Sequence, residues 1–215
     1  MMNDTIVNFS NKNEFDAKAA IWDTPEKIER AQIMADAILA ADSAGLELDN
    51  ALEYGCGTGL VSLALRDKIR RIVLADISDG MLGVVRQKIQ SLQLDNFFPV
   101  KLDLTVEAPP AEKFNLIYSL QTLHHIPNTQ QIIEVFYGML EDGGRLFLAD
   151  LDLEDGSFHG EGFDGHNGFI REELRSIAIS VGFRDVKFQD IYSIIKTTEN
   201  GERRVYPLFL MIASK

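Results

Sequence analysis

The chain has 215 residues, 46% hydrophobic and 25% charged, enough for one α/β domain with a full core. Its net charge of −12 argues against a phosphate-backbone partner, so no nucleic acid is expected, and no apolar run approaches the ~20 residues of a membrane helix. A single cysteine, Cys56, excludes an internal disulfide and a Cys-rich metal site; residues 1–5 carry no secretory pattern, so a cytoplasmic location is expected.

Residues up to about Asn13 are polar and are expected to be mobile. Thr24-Pro25-Glu26 reads as a helix start, with a hydroxyl cap, proline at the first position and an acid in the first turn. The spacing of Ile28, Ala31, Met34 and Ile38 carries that helix to about Ala41. Strands and helices then alternate: strand 51–54, helix 60–68, strand 71–75, helix to about Leu92 capped by Ser78, strand 98–102, strand 114–119 and helix 129–140. Glu141-Asp142-Gly143-Gly144 reads as a turn into strand 145–149. A Gly-rich loop follows, then helix 171–181 closed by Gly182, and strands 186–195 and 204–213 joined by a polar turn as an antiparallel hairpin. Such alternation implies an α/β fold: an open, doubly wound, mostly parallel sheet.

The chemistry gathers where such strands end. Residues 51–54 run into Gly55-Cys56-Gly57-Thr58-Gly59 with Glu53 just ahead. Glycine at every second position allows positive φ and lets a ligand approach the backbone closely. The second strand ends in Asp76, about 17 residues past Gly59 and near the ~20-residue spacing of a ribose-binding acid. Asp103 ends the third strand, and Tyr118-Ser119 the fourth, ahead of His124-His125.

Glu53-x-Gly55-x-Gly57-x-Gly59, Asp76-Ile77-Ser78-x-x-Met81, Asp103-Leu104 and Phe114-x-x-Ile117-x-Ser119 together resemble the class I S-adenosylmethionine-dependent methyltransferases. The likeness is to the small-molecule group related to the ubiquinone/menaquinone C-methyltransferases. It implies a seven-stranded Rossmann-like domain over residues 1–215 with an N-terminal helical lid of about 1–45. It also implies S-adenosylmethionine as cofactor, S-adenosylhomocysteine as product, and a small-molecule acceptor. Glu53 would face the methionine ammonium. Gly55, Cys56, Gly57 and Gly59 would form the loop against the cofactor. Asp76 would accept the ribose hydroxyls, and Ile77 and Met81 would sandwich the adenine. Asp103 and the Leu104 amide would read the adenine edge, Ser119 would lie under the methionine portion, and Phe15 and Trp22 would belong to the lid.

All four histidines, His124, His125, His159 and His166, fall between the fourth strand and the late helix. Imidazole has the pKa range of a general base, and His124, His125 and His159 are the candidate catalytic residues. Loop 150–168 mixes glycines, aromatics and histidines as a substrate lid would, and Asp150, Asp152, Glu154 and Asp155 make it acidic, hinting at a cationic acceptor. No compact metal-ligand motif is present, so no metal is assigned. The family's asparagine-proline-proline-aromatic motif is replaced by Ser119-Leu120-Gln121-Thr122, which disfavours nucleic-acid bases and protein amides as acceptors. Two other readings share the loop: a non-catalytic S-adenosylmethionine- or S-adenosylhomocysteine-binding regulator, and an NAD(P)-dependent oxidoreductase. Glu53 and the Gly-x-Gly-x-Gly spacing weigh against the latter. The final hairpin offers an edge for homodimer pairing.

Overall fold

A computed structural model describes residues 9–42, 48–197 and 201–215. Seven strands form one sheet: β1 (Asn50–Tyr54), β2 (Arg71–Asp76), β3 (Phe97–Lys101), β4 (Phe114–Leu120), β5 (Leu140–Leu151), β6 (Arg184–Thr197) and β7 (Arg203–Ser214). Their order is β3-β2-β1-β4-β5-β7-β6, parallel except that β7 runs antiparallel to both β5 and β6. The chain reverses its winding between β1 and β4, so a crevice opens beyond the carboxyl ends of these two strands.

Alternation along the strands divides the apolar side chains between two cores. Leu52, Tyr54, Leu146 and Leu148 point to the face covered by α5 (Thr129–Met139) and α6 (Arg171–Val181), against Ile133, Phe136 and Leu174. Ala51, Leu74, Leu116 and Phe147 point to the other face, covered by α2 (Pro25–Asp42), α3 (Leu60–Leu65) and α4 (Asp79–Leu92). The helices begin where side chains satisfy free amides: Ser78 Oγ accepts from Met81 N at 3.1 Å and Asn128 Oδ1 from Gln131 N at 3.0 Å.

Three expectations change. Residues 9–13, expected to be mobile, instead begin a helix, α1 (Phe9–Lys18), docked on α4; residues 1–8 lie outside the described part. Asp16 Oδ1 accepts from Ser78 Oγ at 2.6 Å and Gly80 N at 2.8 Å, a tertiary tie that local polarity cannot announce. Second, Glu141–Gly144 form no turn ahead of a strand but belong to β5. Leu140 pairs with Phe114, the register shifts before Leu116, and Gly143 at φ +81° absorbs the irregularity. Third, α3 stops at Leu65, short of Lys68, where Asn96 Nδ2 takes the carbonyls of Arg66 and Ile69. The polar tip of the hairpin, 198–200, falls outside the described residues.

Candidate active site

Most of the candidate residues lie along the carboxyl edge of the sheet, and the glycine loop, Asp76 and the histidines flank the β1/β4 crevice. The loop after β1 turns through three left-handed glycines, Gly55 (φ +69°), Gly57 (+52°) and Gly59 (+76°). Gly55 is required by contact as well as by φ, because a Cβ there would lie 2.2 Å from Thr122 Oγ1. Gly57 is open: its Cβ would meet only Trp22 Nε1, at 3.5 Å. Cys56 is buried, its thiol pushed well up by burial, and it serves as a small core residue.

Asp76, at the end of β2, holds the loop. Its Oδ2 accepts from Gly57 N at 2.7 Å and its Oδ1 from Ser78 N at 2.8 Å. Burial raises its carboxyl to about 6 against the pull of these amides. Glu53 is buried behind the loop, where its Oε2 accepts from both the amide and the hydroxyl of Ser62. The same hydroxyl lies 2.7 Å from Tyr118 OH, so Tyr118 belongs to a sealed network rather than to a cavity wall. Burial raises Glu53 to about 8, with Asp76 adding to the rise and Lys88 opposing it. A buried, readily protonated carboxyl beside an open glycine cradle suits a ligand that brings its own cation.

The remaining predicted cofactor residues are more engaged. Ile77 is half-buried at the crevice, whereas Met81 is sealed on the buried face of the first turn of α4. The Leu104 amide donates to Tyr54 OH at 3.1 Å, and Ser119 Oγ donates to Tyr54 O at 2.7 Å. Asp103 Oδ1 accepts from Thr105 N and Oγ1, a local turn. Trp22 lies over the loop with the Lys27 ammonium 3.1 Å from its ring centroid, and burial lowers Lys27 to about 8. The adjoining Asp23 binds Thr58 Oγ1 and, at 2.7 Å, Lys88 Nζ, fastening the N-terminal segment to the loop.

Across the crevice, the chain leaves β4 through Gln121, whose φ of +54° is unusual for a side-chain-bearing residue, and makes one 3-10 turn over Leu123–His125. That turn carries His124 and His125. The loop after β5 brings His159 back onto them: ring centroids lie 4.1 Å (His124–His125), 5.0 Å (His124–His159) and 5.6 Å (His125–His159) apart. Phe163 stacks on His159 at 3.8 Å and walls the cluster. Burial first, then the neighbouring His124, lowers His125 to about 3 and His159 to about 4, so both rings are neutral near pH 7. Phe15 joins the two sides, 5.7 Å from Trp22 and 5.4 Å from His125.

His166 stands apart, its Nε2 3.0 Å from Ile126 O, and shapes the loop. The acids of the expected acidic lid are placed unequally. Asp150 is fully buried at the end of β5 and accepts from His124 Nδ1 at 2.7 Å. Asp152 is paired with Arg171, Asp155 with Arg204, and Glu154 accepts from Phe158 N. Asp152 and Asp155 are thus neutralised by arginines and Asp150 is turned inward, whereas Glu154 keeps one buried oxygen without a partner among the described residues. What sequence reading does not anticipate are contacts between distant segments: Thr122 against Gly55, Asp16 on Ser78 and Gly80, and the stacking of Phe163 on His159.

Residues 52–146 match the family model of a methyltransferase domain. An uncharacterized methyltransferase of Schizosaccharomyces pombe is 28% identical over 147 residues, covering 59% of this chain and 50% of its own length. A ubiquinone biosynthesis O-methyltransferase of Coxiella burnetii is 27% identical over 101 residues, covering 47% and 43%. The chain thus spans about half the length of the curated relatives it matches. A SAM-dependent methyltransferase from Aquifex aeolicus superposes with a TM-score of 0.65 at 16% identity, covering 93% of this chain and 97% of that one, a likeness of fold.

Proposed function

We propose that this chain, which belongs to the class I S-adenosylmethionine-dependent methyltransferases, methylates a small molecule held between the glycine loop and the three-histidine cluster. One observation carries the reading: the Asp76 carboxylate, the open Gly57 cradle and buried Glu53 lie on one side of a crevice whose other side is three imidazoles, with Phe15 touching both.

The residues fit the cofactor. Asp76 keeps a lone pair on each oxygen for ribose hydroxyls, Gly57 leaves room for the ligand, and Glu53 offers a carboxyl that an arriving ammonium would ionise. When bound, S-adenosylmethionine supplies an electrophilic sulfonium methyl. The chain's share of the work is positioning and proton transfer. Phe15 and Phe163 pack edge-to-face on His125 and Phe163 stacks on His159, so this side of the crevice is lined by aromatic rings, which favours an aromatic acceptor. The carboxylate of Asp150 fixes the proton of His124 on Nδ1, which leaves Nε2 able to accept from a phenol-like hydroxyl. The net charge of −12 supports a small acceptor over a nucleic acid.

Calorimetry with S-adenosylhomocysteine tests the cofactor half. Micromolar binding is expected, and Asp76→Ala should weaken it by roughly 100-fold or more through loss of two charge-assisted hydrogen bonds. Absence of binding to the native chain overturns the reading. The acceptor half is tested by turnover of labelled cofactor against phenols and catechols.

A further inference from the structure

The three imidazoles do more than line a wall. One nitrogen from each of His124, His125 and His159 lies within 4.8 Å of the other two. Two of the three nitrogen sets are prepared in a way that packing does not explain. His124 Nδ1 is engaged by Asp150 Oδ1 at 2.7 Å, so its free lone pair is on Nε2. His125 Nδ1 is buried with no hydrogen-bond partner among the described residues, an imidazole nitrogen withdrawn from water with nothing to bind.

We propose that His124, His125 and His159 form a site for one divalent late transition metal of the zinc class, with Asp150 as its orienting carboxylate. Three neutral nitrogen donors match borderline cations such as Zn²⁺, Co²⁺ or Fe²⁺ and suit Mg²⁺ or Ca²⁺ poorly, because those prefer oxygen. A carboxylate fixing the far nitrogen of a ligand histidine is the usual support of such sites: it sets the tautomer and raises ligand basicity. Phe163, packed against all three rings, adds an apolar shell that slows exchange with water.

The spacing is close to what a metal requires. Tetrahedral ligands with bonds of ~2.1 Å stand about 3.4 Å apart, so the cluster has to tighten modestly from 4.8 Å. His159 can make that movement, since Gly156, Gly160 and Gly162 around it all have positive φ and no Cβ to carry. His124 and His125 share one short turn, and the third ligand comes from a separate loop. Three protein ligands leave a fourth position free, the arrangement of catalytic rather than structural sites. The metal site stands on this geometry alone. Only its use, in which the bound metal would acidify an acceptor hydroxyl in place of direct proton transfer to His124 Nε2, rests on the methyl-transfer reading.

The test uses the untagged native chain, stripped with chelator and without cofactor. Titration with Co²⁺ should show one equivalent bound, with visible absorption bands of a four- or five-coordinate ion, and Zn²⁺ should displace it. His125→Ala and His159→Ala should each weaken Zn²⁺ binding by roughly 100-fold or more, and Asp150→Asn by about 10- to 100-fold. Calorimetry with S-adenosylhomocysteine on each variant shows that the fold persists, and it separates failure of this site from failure of the cofactor reading. No stoichiometric binding, or binding that His159→Ala leaves unchanged, overturns the proposal.

Discussion

The carboxylate of Asp150 accepts a hydrogen bond from His124 Nδ1 at 2.7 Å, with both side chains almost wholly shielded from solvent. It also accepts the backbone amides of His124 (3.1 Å) and Leu151 (2.8 Å), so one acid at the end of β5 anchors the turn that leaves β4. Replacing Asp150 by Ala strands three buried donors. The expected loss is about 3–5 kcal/mol of unfolding free energy, read from the urea midpoint. Asp150→Asn, which retains one acceptor oxygen, should recover part of it.

Gly55 and Gly57 share a left-handed backbone but not a neighbourhood. Alanine at Gly57 faces only the conformational cost, roughly 1–2 kcal/mol. At Gly55 the new Cβ would also drive into Thr122, 2.2 Å away. Thermal unfolding should therefore rank Gly55→Ala below Gly57→Ala, and the order should reverse or vanish if Thr122 is trimmed to glycine in the same chain.

Glu53 links cofactor binding to pH. Its folded-state carboxyl is raised from 4.5 to about 8, so between these values the free fold holds a proton that the unfolded chain has released. Stability from this group therefore falls as pH rises through that window. A methionine ammonium favours the ionised form and expels the proton. At pH 7, binding of S-adenosylhomocysteine should release close to one proton, measured by calorimetry in buffers of different ionisation enthalpy. Glu53→Gln should abolish the release.

Asp16 is the hook of α1. Its Oδ1 accepts from Ser78 and Gly80 at the start of α4 and so brings Phe15 over the crevice. Asp16→Ala should expose the amides of residues 13–18 to rapid hydrogen exchange and weaken S-adenosylhomocysteine binding by about tenfold. Unchanged protection of that helix would remove the lid role from it.

The alternation of strands and helices and the residues at the strand ends were readable in order because each depends on local pattern: apolar period, caps, and glycines with flanking acids. Asp76 and the three glycines occupy the positions that spacing anticipates. Asp150 shows where such reading stops. In sequence it heads a run of acids and looks like a charged lid, yet the strand carries it inward while Asp152 and Asp155 meet arginines 19 and 49 residues away.

The sequence by itself determined the fold class and marked the loop proposed to hold the cofactor, because both follow from short-range order along the chain. Tertiary structure alone brought three of the histidines together. His159 lies 34 residues from His125, and only the closing of the β5 loop under Phe163 sets it beside the other two. Imidazoles become a site through mutual distance, burial and an orienting carboxylate, and none of these is a property of sequence spacing.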